Sequence, residues 1–261
     1  YFLNEDRNLE RIVKIPNSIL KHITEDKYLI TTLLGICLIQ NMDKTATFSI
    51  NSLIKTCGMT PNRGTGRNIE SIRNTLANLV YLQFFEFSNS QLNLLFNKDF
   101  IEKHGDYRRQ AIKGLQTFTQ ITMVPHTNYK EISQSNFTLF SLSTFKKLIE
   151  LSKTSKHNLI DFVNIYFFLK YQYDLKNNYF EKEEDILSLK EKKNTIKAKG
   201  ISLSYAGFED KVSYNKKTIV LLLQELEKAG MINIYRQSSK ANIFVVCESK
   251  QFYINKNKEN K

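Results

Sequence analysis

Apolar positions along the chain switch between helical and extended spacing, and the switches mark out the elements. "RIVKIPNSIL" (Arg11–Leu20) reads as a short extended piece ending at Pro16, then a helix that Asn17 or Ser18 could cap. From Asp26 to Asn41 nearly every side is apolar (Leu29, Ile30, Leu33, Leu34, Ile36, Leu38, Ile39), which predicts a helix that is buried or shared with a partner. "TATFSI" predicts a short strand, and "NSLIKTCG" a short helix stopped by Gly58. "MTPNRGTGR" is turn-rich. In "NIESIRNTLANLV", Ile69, Ile72, Leu76, Leu79 and Val80 share one helical face. "LQFFEF", "SNS" and "QLNLLF" predict a hairpin.

The same order returns further on. "FTLFSLSTFKKLIEL" is an extended piece running into a helix, and "NLIDFVNIYFFLKYQY" is again a helix apolar all round. A charged stretch, Lys182–Gly200, interrupts the pattern as an insertion would. "SLSYAGFEDKV" predicts a short helix, "YNKKTIVLLLQELEKAG" an amphipathic one, and "MINIYR", "QSSK" and "ANIFVV" a closing hairpin. Strand, short helix, turn, amphipathic helix and hairpin is the order of a winged helix. The expected fold is therefore mainly α with small β hairpins (α+β), as two winged-helix domains in tandem. The N-terminal domain would span residues 1–97 and the C-terminal domain 137–250, with 98–136 connecting them and a polar, disordered tail over 251–261. Part of the connection, "KDFIEKHGDYRRQAIKGL", has the makings of a helix.

Composition narrows the class. The chain has 261 residues, 41% of them apolar, enough to bury a core in one large or two ordinary domains. Only 9 Gly and 3 Pro argue against a linker-rich chain. Cys37, Cys57 and Cys247 are odd in number and widely spaced, which predicts core thiols in a reducing cytoplasm and no disulfide framework. No secretory signal opens the sequence, and the run Leu29–Ile39 is too short to span a bilayer. Lys and Arg number 38 against 26 Asp and Glu, a net charge of +12 that suits a polyanion such as nucleic acid. A Lys- and Asn-rich composition drawn from an AT-rich genome would give the same excess.

One local feature points to the polyanion. A helix start carries partial positive charge and favours acids in its first turn. The helix after Asn215 opens instead with Lys216 and Lys217. Each lysine there is unfavourable by about 0.3–1 kcal/mol on its own, and the sign reverses beside a phosphate. In a helix-turn-helix this is the end aimed at DNA. Asn215 caps the helix and Thr218 offers a hydroxyl to a phosphate or base edge. Lys211 and Tyr214 precede it, and Arg236 and Lys240 flank the expected wing tip "QSSK". Ile219, Leu222, Leu223 and Leu226 form the inner stripe and belong to the core. Simple solvation of exposed lysines is the alternative.

The first half carries Arg63, Arg67 and Arg73 on or beside its second helix, with Asn62, Thr65 and Asn68 nearby. The glycines of "RGTGR" would let backbone amides approach a phosphate, or would simply make a flexible turn. It is neither a Walker loop nor a dinucleotide fingerprint. His22, His104, His126 and His157 are scattered, with no His-x-His pair and no zinc spacing among Cys and His. "EKEED" (Glu181–Asp185) reads as a solvated acidic loop. Neither a catalytic constellation nor a cofactor or metal is expected.

Two winged helices in one basic chain, the second ending in "NKKTIVLLLQELEKAGMINIYR", resemble the replication initiators of iteron-bearing plasmids. The likeness runs over Ile12–Val246 and lies in the order of elements; "RGTGR" and Lys182–Gly200 have no counterpart in it. It implies a two-domain initiator that binds repeated origin sites, dimerises through its N-terminal domain, represses itself as a dimer and contacts host replication proteins. The expected function is sequence-specific double-stranded DNA binding in plasmid or phage replication. The alternatives are a transcriptional regulator of a mobile element and a winged-helix protein-interaction scaffold.

Overall fold

The computed structural model describes residues 11–60, 67–96, 98–105, 119–126, 137–176, 200–236 and 241–247. Among these, helices and short strands mix as in an α+β protein. Contacts divide the chain into two compact units, Tyr1–Val163 and Asn164–Lys261. The sequence places the start of the C-terminal domain at residue 137, after a connecting segment over 98–136. The segment after it is instead tied into the first unit, because β1 (Ile12–Pro16) pairs antiparallel with β5 (Phe137–Ser141), from Ile12 opposite Ser141 to Pro16 opposite Phe137.

In the first unit α1 (Leu29–Ile39) is followed by β2 (Ala46–Phe48), α2 (Ile50–Thr56), α3 (Arg67–Tyr81) and β3 (Phe85–Phe87). Next come α4 (Ser90–Phe96), α5 (Lys98–His104) and β4 (Ile121–Pro125). After β5, α6 (Leu142–Thr154) and the start of α7 (Leu159–Lys176) complete the unit. Leu29, Ile30, Leu33, Leu34 and Ile36 are fully buried, so α1 meets the first of its two expected fates and is enclosed. It packs on α2 through Gly35, where even a Cβ would lie 2.4 Å from Cys57 Sγ. Burial pushes the Cys57 thiol up to about 12 and the Cys37 thiol up to about 11, so both stay neutral core groups. The Arg11 guanidinium closes the C-terminal end of α1, donating to the carbonyls of Cys37 (3.2 Å) and Gln40 (2.8 Å).

The loop before α1 is pinned to α3 by Asp26. Its carboxylate accepts from Thr75 Oγ1 (2.9 Å), Asn78 Nδ2 (2.8 Å) and the Tyr28 N–H (3.1 Å). Burial nonetheless raises its pKa, outweighing these hydrogen bonds.

Three segments fold differently from what their sequence predicts. The segment after Pro16 is a 3-10 turn, Asn17–Lys21, with no side-chain cap; the Asn17 carboxamide oxygen instead accepts from Thr138 Oγ1 (2.8 Å) beside the β1–β5 pair. The hairpin expected over residues 82–96 does not form. "QLNLLF" lies in α4, because Asn89 caps it, its Oδ1 accepting the Leu92 N–H at 2.9 Å. The partner of β3 is β4, in register from Phe85 opposite Pro125 to Phe87 opposite Met123. Finally, the short helix expected over Ser202–Val212 starts only at Tyr205, because Ser204 caps it and Ile201–Leu203 forms a strand, β6.

The second unit holds the rest of α7, then β6, α8 (Tyr205–Val212), α9 (Lys216–Lys228), β7 (Ile232–Tyr235) and β8 (Asn242–Val246). Its core runs through edge-to-face rings: Phe168 of α7 on Phe208 of α8 (5.4 Å between centroids), and Phe208 on Phe244 of β8 (5.6 Å). The buried ammonium of Lys170 reaches the Asp174 carboxylate one turn on, at 2.5 Å.

The two units repeat one another in detail. Each has a three-stranded sheet in which the last strand lies between the other two: β2-β4-β3 and β6-β8-β7. A serine follows the first strand in each and caps the next helix, Ser49 for α2 and Ser204 for α8. Helices α3 and α9 end in the same motif. The N–H of Gln83 bonds to the Val80 carbonyl and that of Phe84 to Leu79; Gly230 bonds to Glu227 and Met231 to Leu226. Gln83 (φ 59°) and Gly230 (φ 68°) take the left-handed turn this requires. The final strand then returns to the same place, His126 donating to the Phe84 carbonyl and Cys247 to that of Met231.

Candidate functional site

The residues of greatest interest lie where α8 turns into α9. Ser204 Oγ starts α8 by accepting the Gly207 N–H at 3.2 Å. The helix stops at Ser213, whose left-handed backbone (φ 56°) reverses the chain at once. Ser213, Tyr214 and Asn215 make the whole connection. Asn215 then caps α9, its Oδ1 accepting the Thr218 N–H at 2.9 Å. Tyr214 sits half-buried with its hydroxyl 3.5 Å from Asn164 Nδ2 of α7.

Lys211, Asn215, Lys216 and Lys217 are all exposed around this turn, and Thr218 is half-buried. The sequence did not reveal that Glu209, in α8, lies against the same helix end and accepts the Lys216 N–H. The Lys216 ammonium stands over the Tyr205 ring at 5.9 Å, within cation–π range. Lys217, the next residue, begins a separate exposed row along α9. With Leu221, Gln224 and Lys228 it follows i, i+4, i+7, i+11 spacing, and all four are exposed. Ile219, Leu222, Leu223 and Leu226 form the opposite, buried face, as expected from their spacing.

Arg236 follows β7 and is already engaged. Its guanidinium grips both oxygens of Glu227 on α9, at 2.6 and 3.3 Å. Glu227 Oε1 also accepts the Ile234 N–H at 3.2 Å, so this carboxylate fastens the end of α9 to the hairpin. The hydrogen bond and charge of Arg236 hold Glu227 below the usual carboxylate range. Lys240, at the expected wing tip, lies outside the described residues.

The first unit's candidates are more dispersed. Asn62, Arg63, Thr65 and the rest of the glycine loop lie outside the described residues, as do the side chain of Arg67, the insertion 182–199, the tail and most of the connecting segment. Asn68 is committed to the fold, accepting from the Tyr28 hydroxyl (3.0 Å) and donating to the Thr60 carbonyl (2.9 Å). Arg73 is only 19% exposed in its side chain and lies 3.7 Å from Glu70. The second unit therefore gathers Lys211, Tyr214, Asn215, Lys216, Lys217 and Thr218 around the turn from α8 to α9, while Arg236 stands apart beyond β7, held by Glu227. In the first unit, the described candidates, Asn68 and Arg73, serve contacts within the unit.

No family model matches the chain, and neither the curated proteins nor the solved structures yield a match. Among the described residues, no helix is long and apolar enough to cross a membrane. Two residues that the sequence reading passed over, Leu221 and Gln224, occupy the middle of the exposed stripe of α9. Leu221 was hidden in a run of aliphatics, and only the helical phase separates it from its buried neighbours.

Proposed function

We propose that the chain is a sequence-specific double-stranded DNA-binding protein made of two tandem winged-helix units, acting as a replication initiator on repeated sites of a plasmid or phage origin. The observation that carries this reading is the exposed stripe of α9. It belongs to the second helix of a tight helix-turn-helix, opens on lysines and is followed by a hairpin. In this arrangement α9 enters the major groove, and Lys211, Lys216 and Lys217 meet the phosphates beside it. The β7–β8 hairpin lies along the flanking backbone. The repeated architecture supports a second, weaker contact through α3 of the first unit, on an adjacent groove. Function is by binding and DNA deformation in the cytoplasm, with no covalent step. With α1 enclosed in its own chain, a second copy pairs through another surface of the first unit.

The test is a salt titration of duplex binding. Each phosphate neutralised contributes about −0.9 to the slope of log affinity against log salt. Lys216→Ala with Lys217→Ala should weaken binding to every sequence and flatten the slope by about 2. Equal binding by parent and double variant would remove the docking geometry. Absence of any duplex shift at low salt, alongside a stable complex with another protein, would select the scaffold reading. Permanganate reactivity of AT-rich DNA beside tandem repeats separates an initiator from a repressor.

A further inference from the structure

The exposed stripe of α9 has a composition that the phosphate contacts do not use. Lysines stand at its two ends, Lys217 and Lys228, while its centre holds an aliphatic side chain, Leu221, and a carboxamide, Gln224. Leu221 is 41% exposed on a helix whose other leucines are buried. A cationic rim around a neutral centre is complementary to a major groove, where phosphates line the edges and base edges form the floor.

We infer that Leu221 and Gln224 read an A·T-containing step, Leu221 packing on the C5-methyl group of thymine and Gln224 bonding to N6 and N7 of adenine. This rests on the DNA-binding reading above and adds the base chemistry to it. A carboxamide offers one acceptor and donors side by side, the complement of adenine N6–H and N7. An aliphatic group gains nothing from a guanine or cytosine edge but buries apolar surface against a methyl group. Residues three apart on a helix are separated by about 4.5 Å along the axis, close to the roughly 3.4 Å rise between base pairs, so the two side chains reach neighbouring pairs. Neither side chain is charged, so their contribution is to sequence preference and not to salt dependence.

The experiment selects a site for the parent protein from a randomised duplex library, then alters single atoms of that site. Replacing thymine by uracil removes only the methyl group, and replacing adenine by 7-deazaadenine removes only N7. The parent should lose roughly ten- to hundredfold affinity when an A·T pair at the centre of the half-site is changed to G·C. Leu221→Ala should become indifferent to the uracil exchange, and Gln224→Ala to the deaza exchange, while both keep the parent's salt slope. Selection of the same site with undiminished preference by both variants overturns the inference and leaves DNA binding standing. Failure of the parent to enrich any duplex overturns both together.

Discussion

The Glu209 carboxylate in α8 accepts the backbone N–H of Lys216, the first residue of α9. It stands where an anion is wanted. A helix start that lacks acids in its own first turn borrows one from the preceding helix, across a connection of Ser213, Tyr214 and Asn215. The lysines are thus tolerable in the free protein without a nucleic acid, because Glu209 supplies the negative charge that offsets the dipole. This changes the physics of the proposed complex: an incoming phosphate meets a helix end that already has an anion beside it.

Glu209→Gln should therefore separate folding from binding. The carboxamide retains an acceptor for the Lys216 N–H, so stability should change by no more than about 1 kcal/mol. Removal of the charge should tighten duplex binding by about 0.3–1 kcal/mol at low salt, roughly two- to fivefold, and the gain should fade as salt rises. Fluorescence anisotropy at several salt concentrations measures this. Identical curves for the two proteins would mean that Glu209 does not face the nucleic acid.

The Glu227–Arg236 pair makes a prediction about pH. Arg236 lowers the folded-state pKa of Glu227 by hydrogen bonding and by charge. A carboxyl depressed in the folded state adds stability above its unfolded pKa, and that stability is lost as pH falls through the folded value. Arg236→Ala should cost about 0.5–1 kcal/mol at neutral pH, as for an exposed but bidentate pair. The difference between variant and parent should shrink to nothing well below the ordinary carboxylate range. Urea midpoints at the two pH values check it, and an acid-independent difference would assign the loss to packing of the arginine stem.

How much of this was readable in the residues depends on how local each signal is. The amphipathic phase of α3 and α9, the all-round apolar α1 and α7, and the stop at Gly230 are properties of short windows, and they stand in the structure as read. Gln83 makes the same left-handed turn as Gly230, but its side chain gives no such hint. The "SNS" segment is ambiguous in sequence, because Ser and Asn serve turns and helix caps by the same side-chain chemistry; in the structure Asn89 caps α4. β4 was missed because α4, α5 and a long segment separate it from its partner β3. The β1–β5 pair joins residues more than a hundred positions apart, which no periodicity announces. At the site, the exposed lysines were visible, whereas Glu209 required the turn that folds α8 back on α9. Arg73 and Asn68 look like ligand-binding residues in sequence, and only their neighbours Glu70, Tyr28 and Thr60 show them occupied.

The contact of Gly35 with Cys57 gives a prediction for the first unit that is independent of any ligand. Ala is a better helix former than Gly by about 0.8–1 kcal/mol, so Gly35→Ala would stabilise an exposed helix. Here the new Cβ would lie 2.4 Å from Cys57 Sγ and 3.1 Å from Leu53 Cδ1, and both neighbours are fully buried. The core cannot open to relieve that overlap without losing contacts elsewhere, so a net loss of about 1–3 kcal/mol is expected. Cys57→Ala removes the closer obstacle and should by itself cost about 1 kcal/mol through lost packing. Together the two substitutions should cost less than their sum by at least about 0.5 kcal/mol, since the methyl group at 35 fills part of the space the sulfur vacates. A double-mutant cycle in urea decides it. Strict additivity would show that the α1–α2 approach yields elsewhere, and that the glycine is not what sets the distance between the two helices.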